Sequence, residues 1–262
     1  MNRKHRHLTV IALVIAGLAV MVYPSLSSYL NAIHSSRAVQ ELAVRLDAAG
    51  SETLRKQRRL AEEYNRTPAG NEYDKILDFG NGVMGFLRIP EIGVELPIYH
   101  GVSDTVLQKG AGHLPGSALP IGGAGNHCIL TGHTGLPSAE LFTDLTELAV
   151  GDQFELHVLE EVLVYEVDQI TVVLPHEVDA LGAVTGRDYC TLVTCTPYGI
   201  NSHRLLVRGE RVSTGVEAVL RQKTEAPDGR LPLPPELIGV GGFVLLLLAA
   251  GGWILVRKEG SQ

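Results

Sequence analysis

Two uncharged apolar runs, one near each end of the chain, constrain it most. Residues 8–23 (LTVIALVIAGLAVMVY) and 237–256 (LIGVGGFVLLLLAAGGWILV) hold no Asp, Glu, Lys or Arg. A helix needs about 20 apolar residues to cross a hydrocarbon core of ~30 Å. The second run meets that length and is followed at once by Arg257 and Lys258. The first continues without charge through residues 24–30 and is preceded by Arg3, Lys4 and Arg6. Lysine and arginine flanking a span stay on the cytoplasmic side. The pattern predicts a two-pass membrane protein with both termini in the cytoplasm and residues 31–235 outside. A cleaved signal peptide would share the basic start and apolar centre. No A-x-A-like cleavage site follows the run, so the reading is an uncleaved anchor.

What remains between the runs is roughly 200 residues, room for one globular domain with a helical lead-in and a linker. A hydrophobic share of 45% with 19% charged residues excludes a disordered chain. The net charge of −7 argues against nucleic acid as a partner. Three cysteines are too few for a disulfide framework, and the odd count leaves at least one thiol unpaired within the chain. An exported free thiol tends to be oxidised or used. Residues 31–66 read as helix, with Val39, Leu42, Leu46 and Ala49 at helical spacing and an interruption at Gly50-Ser51. The basic stretch Arg55, Lys56, Arg58, Arg59 reads as a solvated face of that helix. From Gly82 the pattern turns to short strands, at 83–89, 94–99, 127–130, 153–159, 162–174, 190–195 and 205–212. Residues 138–148 read as one short helix. Many short strands broken by turn signals imply a mainly β domain, closed or sandwich-like.

Three segments carry candidate chemistry. In TLVTCTPYG (191–199) an apolar strand ends in Cys195 and a proline–glycine turn. In LTGHTG (130–135) His133 follows an apolar strand, between glycines that would let a substrate backbone come near. In NSHRLLV (201–207) Arg204 opens the next strand, nine residues after Cys195 and across one turn. If the two strands pair, Cys195 and Arg204 stand at the same end. A cysteine and a histidine make a nucleophile and a proton carrier. An arginine adds a cation that keeps its proton and can stabilise an oxyanion or hold substrate carbonyls.

The text TLVTCTPYGINSHRLLVRGER (191–211) resembles the active-site signature of the sortases, most closely the pilus-assembling class C sortases. GVMGFLRIP (82–90), LPIYHG (96–101), GAGHLPG (110–116), LTGHTG (130–135) and LFTDL (141–145) resemble family text in the family's order. The resemblance spans about 83–212. It implies a closed eight-stranded sortase-type β-barrel and a membrane-anchored cysteine transpeptidase. Cys195 matches the nucleophile, His133 the acid/base histidine and Arg204 the catalytic arginine. Thr194, just before the nucleophile, is a candidate for positioning substrate. The implied reaction cleaves an LPXTG-like sorting signal between Thr and Gly through a thioester, which an amine resolves. That amine is a pilin lysine in class C or a cell-wall peptide amine in the housekeeping classes. The implied partners are therefore pilins or surface proteins carrying the signal; no metal or organic cofactor is implied. Class C members often carry an Asp-Pro-aromatic lid before the first strand. No such triplet stands between Tyr64 and Gly82, and Asp78-Phe79 is the Asp–aromatic pair near that place. The expectation is a missing or vestigial lid and an open site. The predicted organisation runs from a basic start and anchor (1–30) through a lead-in with a shortened lid region (31–82) to the barrel (83–213). A proline-rich linker (214–235), a membrane helix (236–256) and a cytoplasmic tail (257–262) follow.

Other residues have plainer readings. His100, His113 and His127 read as structural or turn histidines. A zinc site of His127, Cys128 and His133 is disfavoured because neighbours on a strand face opposite ways and no C-x-x-C pair supports it. Cys128 and Cys190 read as buried apolar thiols. His203 rivals His133 as proton carrier, but alternation would point it away from Arg204. Residues 231–235 (LPLPP) with the following apolar run resemble a sorting signal on a surface substrate, but the Thr-Gly cleavage pair is absent. A sortase-like binding module without activity is the remaining alternative, and the complete Cys195, His133 and Arg204 set weighs against it.

Overall fold

The computed structural model describes residues 3–67, 72–80, 82–177 and 179–212. The expected linker, second membrane helix and tail lie outside the described residues. The chain divides into two units, with the boundary on its first helix between Ala32 and Ile33.

That helix, α1 (Arg3–Arg66), runs on through Pro24 and is interrupted at Gly50, whose φ of 71° and ψ of 149° are not helical. Glycine accepts that conformation without a Cβ clash. In the first unit, Leu13, Val20, Met21 and Tyr23 are exposed. A helix that is apolar all round and uncovered by protein suits lipid rather than water. Among the described residues it is the one helix long and apolar enough to cross a membrane. In the second unit α1 becomes amphipathic. Val39, Leu42, Leu54, Ala61 and Tyr64 are buried, while Leu46 and Ala49 are half-buried. Arg58 pairs with Glu62 on the helix and with Glu161 on the barrel.

The rest of the second unit is a closed barrel of eight strands in the order β1-β2-β3-β4-β7-β8-β6-β5. The strands are β1 (Val83–Ile89), β2 (Val94–His100), β3 (Ala111–His113) and β4 (Asn126–Thr131), then β5 (Gln153–Val158), β6 (Glu161–Val173), β7 (Asp188–Thr196) and β8 (His203–Arg211). The β2/β3 and β4/β7 pairs are parallel and the other six antiparallel. Closure leaves no bare strand edge. The interior is filled by fully buried Met84, Leu87, Ile98, Leu130, Phe154, Leu156, Leu192 and Val207.

Seven strands fall where the apolar alternation placed them. The exception is β3, three residues long, too short for a period-2 pattern to register. The helix expected at 138–148 is a single 3₁₀ turn, Thr143–Glu147. Its entry is fixed by the Thr143 hydroxyl, which donates to the Glu140 carbonyl, and by Leu141 at a φ of 46°. The lead-in segment packs on the barrel through Tyr73. Its hydroxyl lies 2.8 Å from His113 Nδ1 and accepts from the Gly101 amide at 3.1 Å. His100 sits between the carbonyls of Gly82 and Ile76.

Candidate active site

Pairing of β7 with β8 brings the first two candidates together. Cys195 is directly opposite Arg204 in the antiparallel ladder. Opposite residues in such a ladder project from the same face of the sheet. The sequence inference that they share one end of two neighbouring strands is therefore correct. Arg204 Nη1 donates to the carbonyls of Asn201 (3.2 Å) and His203 (3.0 Å). Among the described residues no carboxylate pairs with it. By contrast Arg208, four residues further along β8 on the same face, is held by both oxygens of Asp168 at 3.0 and 2.6 Å. Arg204 thus keeps N–H groups of its five-donor fork for an incoming acceptor.

The third candidate comes from β4, parallel to β7. Thr131 stands level with Val193, and His133 follows two residues on. The intervening Gly132 is clamped to β7 at both backbone groups. Its amide donates to the Val193 carbonyl at 3.1 Å, and its carbonyl accepts the Thr194 hydroxyl at 2.8 Å. The His133 carbonyl accepts from the Phe142 amide at 3.0 Å. The backbone bearing His133 is therefore fixed to the strand that bears Cys195.

The glycines around His133 make room for protein rather than for substrate. A Cβ on Gly132 would lie 2.7 Å from the Phe142 ring, and one on Gly135 would lie 3.0 Å from the Tyr198 ring. Gly135 also holds a φ of 72°. Both rings approach because no side chain is there.

His133, Thr194, Cys195 and Arg204 all line one cavity of about 330 Å³. Its apolar wall includes Leu114, Ile129, Leu181 and Val193. Cys195 is half-buried, whereas Cys128 and Cys190 are buried. Those two are level partners on β4 and β7, and burial pushes the Cys190 thiol well above its ordinary range. The cavity thus holds the one accessible thiol among the described residues.

The other singled-out residues sit elsewhere. Asp78 accepts from the amides of Gly80 (2.8 Å) and Gly82 (3.2 Å), and the Phe79 carbonyl accepts from Arg45. Neither lines the cavity. His203 is held by Ser202 at 2.8 Å and stands opposite Thr196. His113 is fully buried against Tyr73 and the Ala118 carbonyl. His127 is buried between Thr191 and the Gly182 carbonyl. Sequence reasoning missed the Thr194–Gly132 tie, which joins residues 62 apart through a parallel pairing that no local pattern announces.

The family model described as "Sortase domain" matches residues 87–212. Sortase C of Streptococcus pneumoniae, solved with attention to catalysis and pilin substrate specificity, is 43% identical with a TM-score of 0.65. The match covers 68% of this chain and 97% of that one. Sortase C of Clostridium perfringens, solved with the C-terminal cell wall sorting motif, is 40% identical with a TM-score of 0.62, covering 68% of this chain and 99% of that one. Sortase A of Streptococcus agalactiae serotype III (strain NEM316) is 27% identical over 80% of this chain and 85% of its own length. The match over nearly the whole of these sortase C chains, together with the eight-stranded barrel, places this protein in the sortase family of cysteine transpeptidases.

Proposed function

We propose that this sortase is a membrane-anchored, class C-like transpeptidase that joins pilins through an LPXTG-like sorting signal. The meeting of Cys195, His133 and Arg204 on one cavity carries the reading. In it the Cys195 thiolate attacks the Thr carbonyl of the signal, His133 protonates the departing glycine amine, and a thioester forms. The unpaired N–H groups of Arg204 stabilise the oxyanion or hold the neighbouring carbonyls. A pilin lysine then resolves the thioester. Thr194 serves the substrate site from the cavity wall and through its hold on Gly132. The apolar wall suits the leucine and proline of such a signal. The Asp78 carboxylate is engaged with its own loop, which supports a vestigial lid and an open site.

The pilin lysine is preferred over a cell-wall amine because identity is 43% to a sortase C and 27% to a sortase A. The apolar start of α1 supports an anchor. The two-pass arrangement is part of the proposal, resting on the second apolar run and the basic pair after it. Anchoring enzyme and pilin in one membrane raises their local concentration, so weak intrinsic affinity suffices.

The test is intact-mass analysis of the full-length protein in detergent with an LPXTG peptide. An adduct of the LPXT fragment is expected, absent in Cys195→Ala and released by hydroxylamine. Absence of the adduct both with this peptide and with the pilin encoded beside this protein overturns the reading in favour of a binding module.

A further inference from the structure

His127 stands on β4 on the same face as Ile129 and Thr131, which line the cavity. The imidazole itself lies beneath that surface, with a relative exposure of 2%. Its Nδ1 is 3.0 Å from the Gly182 carbonyl and its Nε2 is 2.7 Å from the Thr191 hydroxyl. A carbonyl only accepts, so Nδ1 carries the hydrogen and Nε2 accepts from Thr191. Burial pushes the imidazole below its ordinary range; the bond to the Gly182 carbonyl opposes this most, with the Arg208 cation lowering and Asp168 raising it by less. The neutral ring satisfies both contacts in one tautomer.

The partner of that ring belongs to the connection between β6 and β7. From 174 to 187 every described residue is exposed except Leu181, which lines the cavity. From 177 to 184 the hydrogen bonds among the described residues stay within the segment, with one exception. That exception is His127 to Gly182, next to Leu181. Among the described residues, 177–184 thus has one packed side chain and one bond to the barrel before Arg187 rejoins it through the Gly125 amide and Glu210, and it takes its position near the cavity from those two points.

We propose that His127 is a positioning residue for the sorting-signal site: through the Gly182 carbonyl it holds Leu181 in the cavity wall. The inference rests on the reading of that cavity as the peptide site. Substrate binding, not the chemical step, is what it governs.

The experiment compares His127→Leu, His127→Asn and Leu181→Ala in the full-length protein in detergent, with an LPXTG peptide as substrate. Leucine fills the space and loses the bond; the asparagine amide keeps a donor near the Nδ1 position. His127→Leu is expected to raise KM about 10-fold with kcat within about threefold of wild type, and His127→Asn to recover most of the difference. Leu181→Ala should match His127→Leu, and the double variant should be no worse than either, because both act at one point. Amide hydrogen exchange needs no substrate and is the second readout. The hydrogen-bonded amides of Gly182 and Arg187 should exchange about tenfold faster in His127→Leu, with β4 and β7 unchanged. A wild-type KM together with wild-type exchange overturns the inference, as does a loss confined to kcat or one additive with Leu181→Ala. If wild type turns over no peptide, the function proposed above fails while exchange still judges the tether. Should His127→Leu not fold, His127→Gln replaces it, since glutamine reaches towards Thr191 but not Gly182, and the same KM and exchange changes are required of it.

Discussion

Thr194 precedes the candidate nucleophile, yet its own hydroxyl serves another strand. It donates to the Gly132 carbonyl and is 3% exposed. Thr194→Val keeps the volume and removes the donor. A buried acceptor left without its partner costs about 1–3 kcal/mol. The expected outcome is a loss of stability in that range, read by thermal unfolding, with a fall in kcat as His133 loosens. Thr194→Ser should restore both. A kcat unchanged in the valine variant would separate the tie from catalysis. The candidate residues themselves were legible in the sequence, because a cysteine at a strand end, a histidine after an apolar strand and an arginine opening the next strand are local signals. The ties that hold them are not local. They depend on β4 lying parallel to β7, residues 126–131 beside 188–193, and a sequence carries no local mark of a parallel pairing.

The 3₁₀ turn shows the same division for whole elements. Apolar periodicity located the 138–148 segment but not its form, which depends on where the Phe142 ring goes. That ring is fully buried against Gly132. Gly132→Ala would put a methyl 2.7 Å from it, with both backbone groups of residue 132 already held by β7. Overpacking of this kind costs about 1–3 kcal/mol. The expected result is a lower Tm and loss of transpeptidation together, since the displaced backbone carries His133. Full activity at unchanged Tm would show that the ring can move aside freely. The glycines flanking His133 were visible in the sequence, but the neighbour each one admits was not. Short β3 escaped for a different reason: three residues between glycine-rich turns leave no period to detect.

At the scale of the whole molecule, burial sets the pH range of the fold. Desolvation pushes the phenols of Tyr73, Tyr99 and Tyr165 above their ordinary range. In the unfolded chain each titrates near pH 10. Above that pH the unfolded chain binds fewer protons than the folded one, so stability falls as pH rises. Denaturant unfolding should show constant stability from these groups below about pH 10 and a decline above it. Tyr73→Phe should make the decline shallower, at the cost of the Gly101 amide's partner.

Topology governs which side of the membrane this domain works on, and the thiols report it. Cys128 and Cys190 are buried in the barrel, and Cys195 alone opens onto a cavity. A small, membrane-impermeant maleimide added to intact cells should therefore label the protein once. Cys195→Ala should abolish that label, and unfolding the cell extract should expose the other two thiols in both proteins. The proposed anchor at the start of α1, with its basic residues, predicts labelling without permeabilisation, because that orientation would put the barrel on the outer side. Labelling only after permeabilisation would put the barrel in the cytoplasm. It would separate Cys195 from any surface pilin and remove the transpeptidation reading whatever the purified enzyme does. Labelling of Cys195→Ala on intact cells would instead show that a core thiol is reachable, against the packing of β4 on β7.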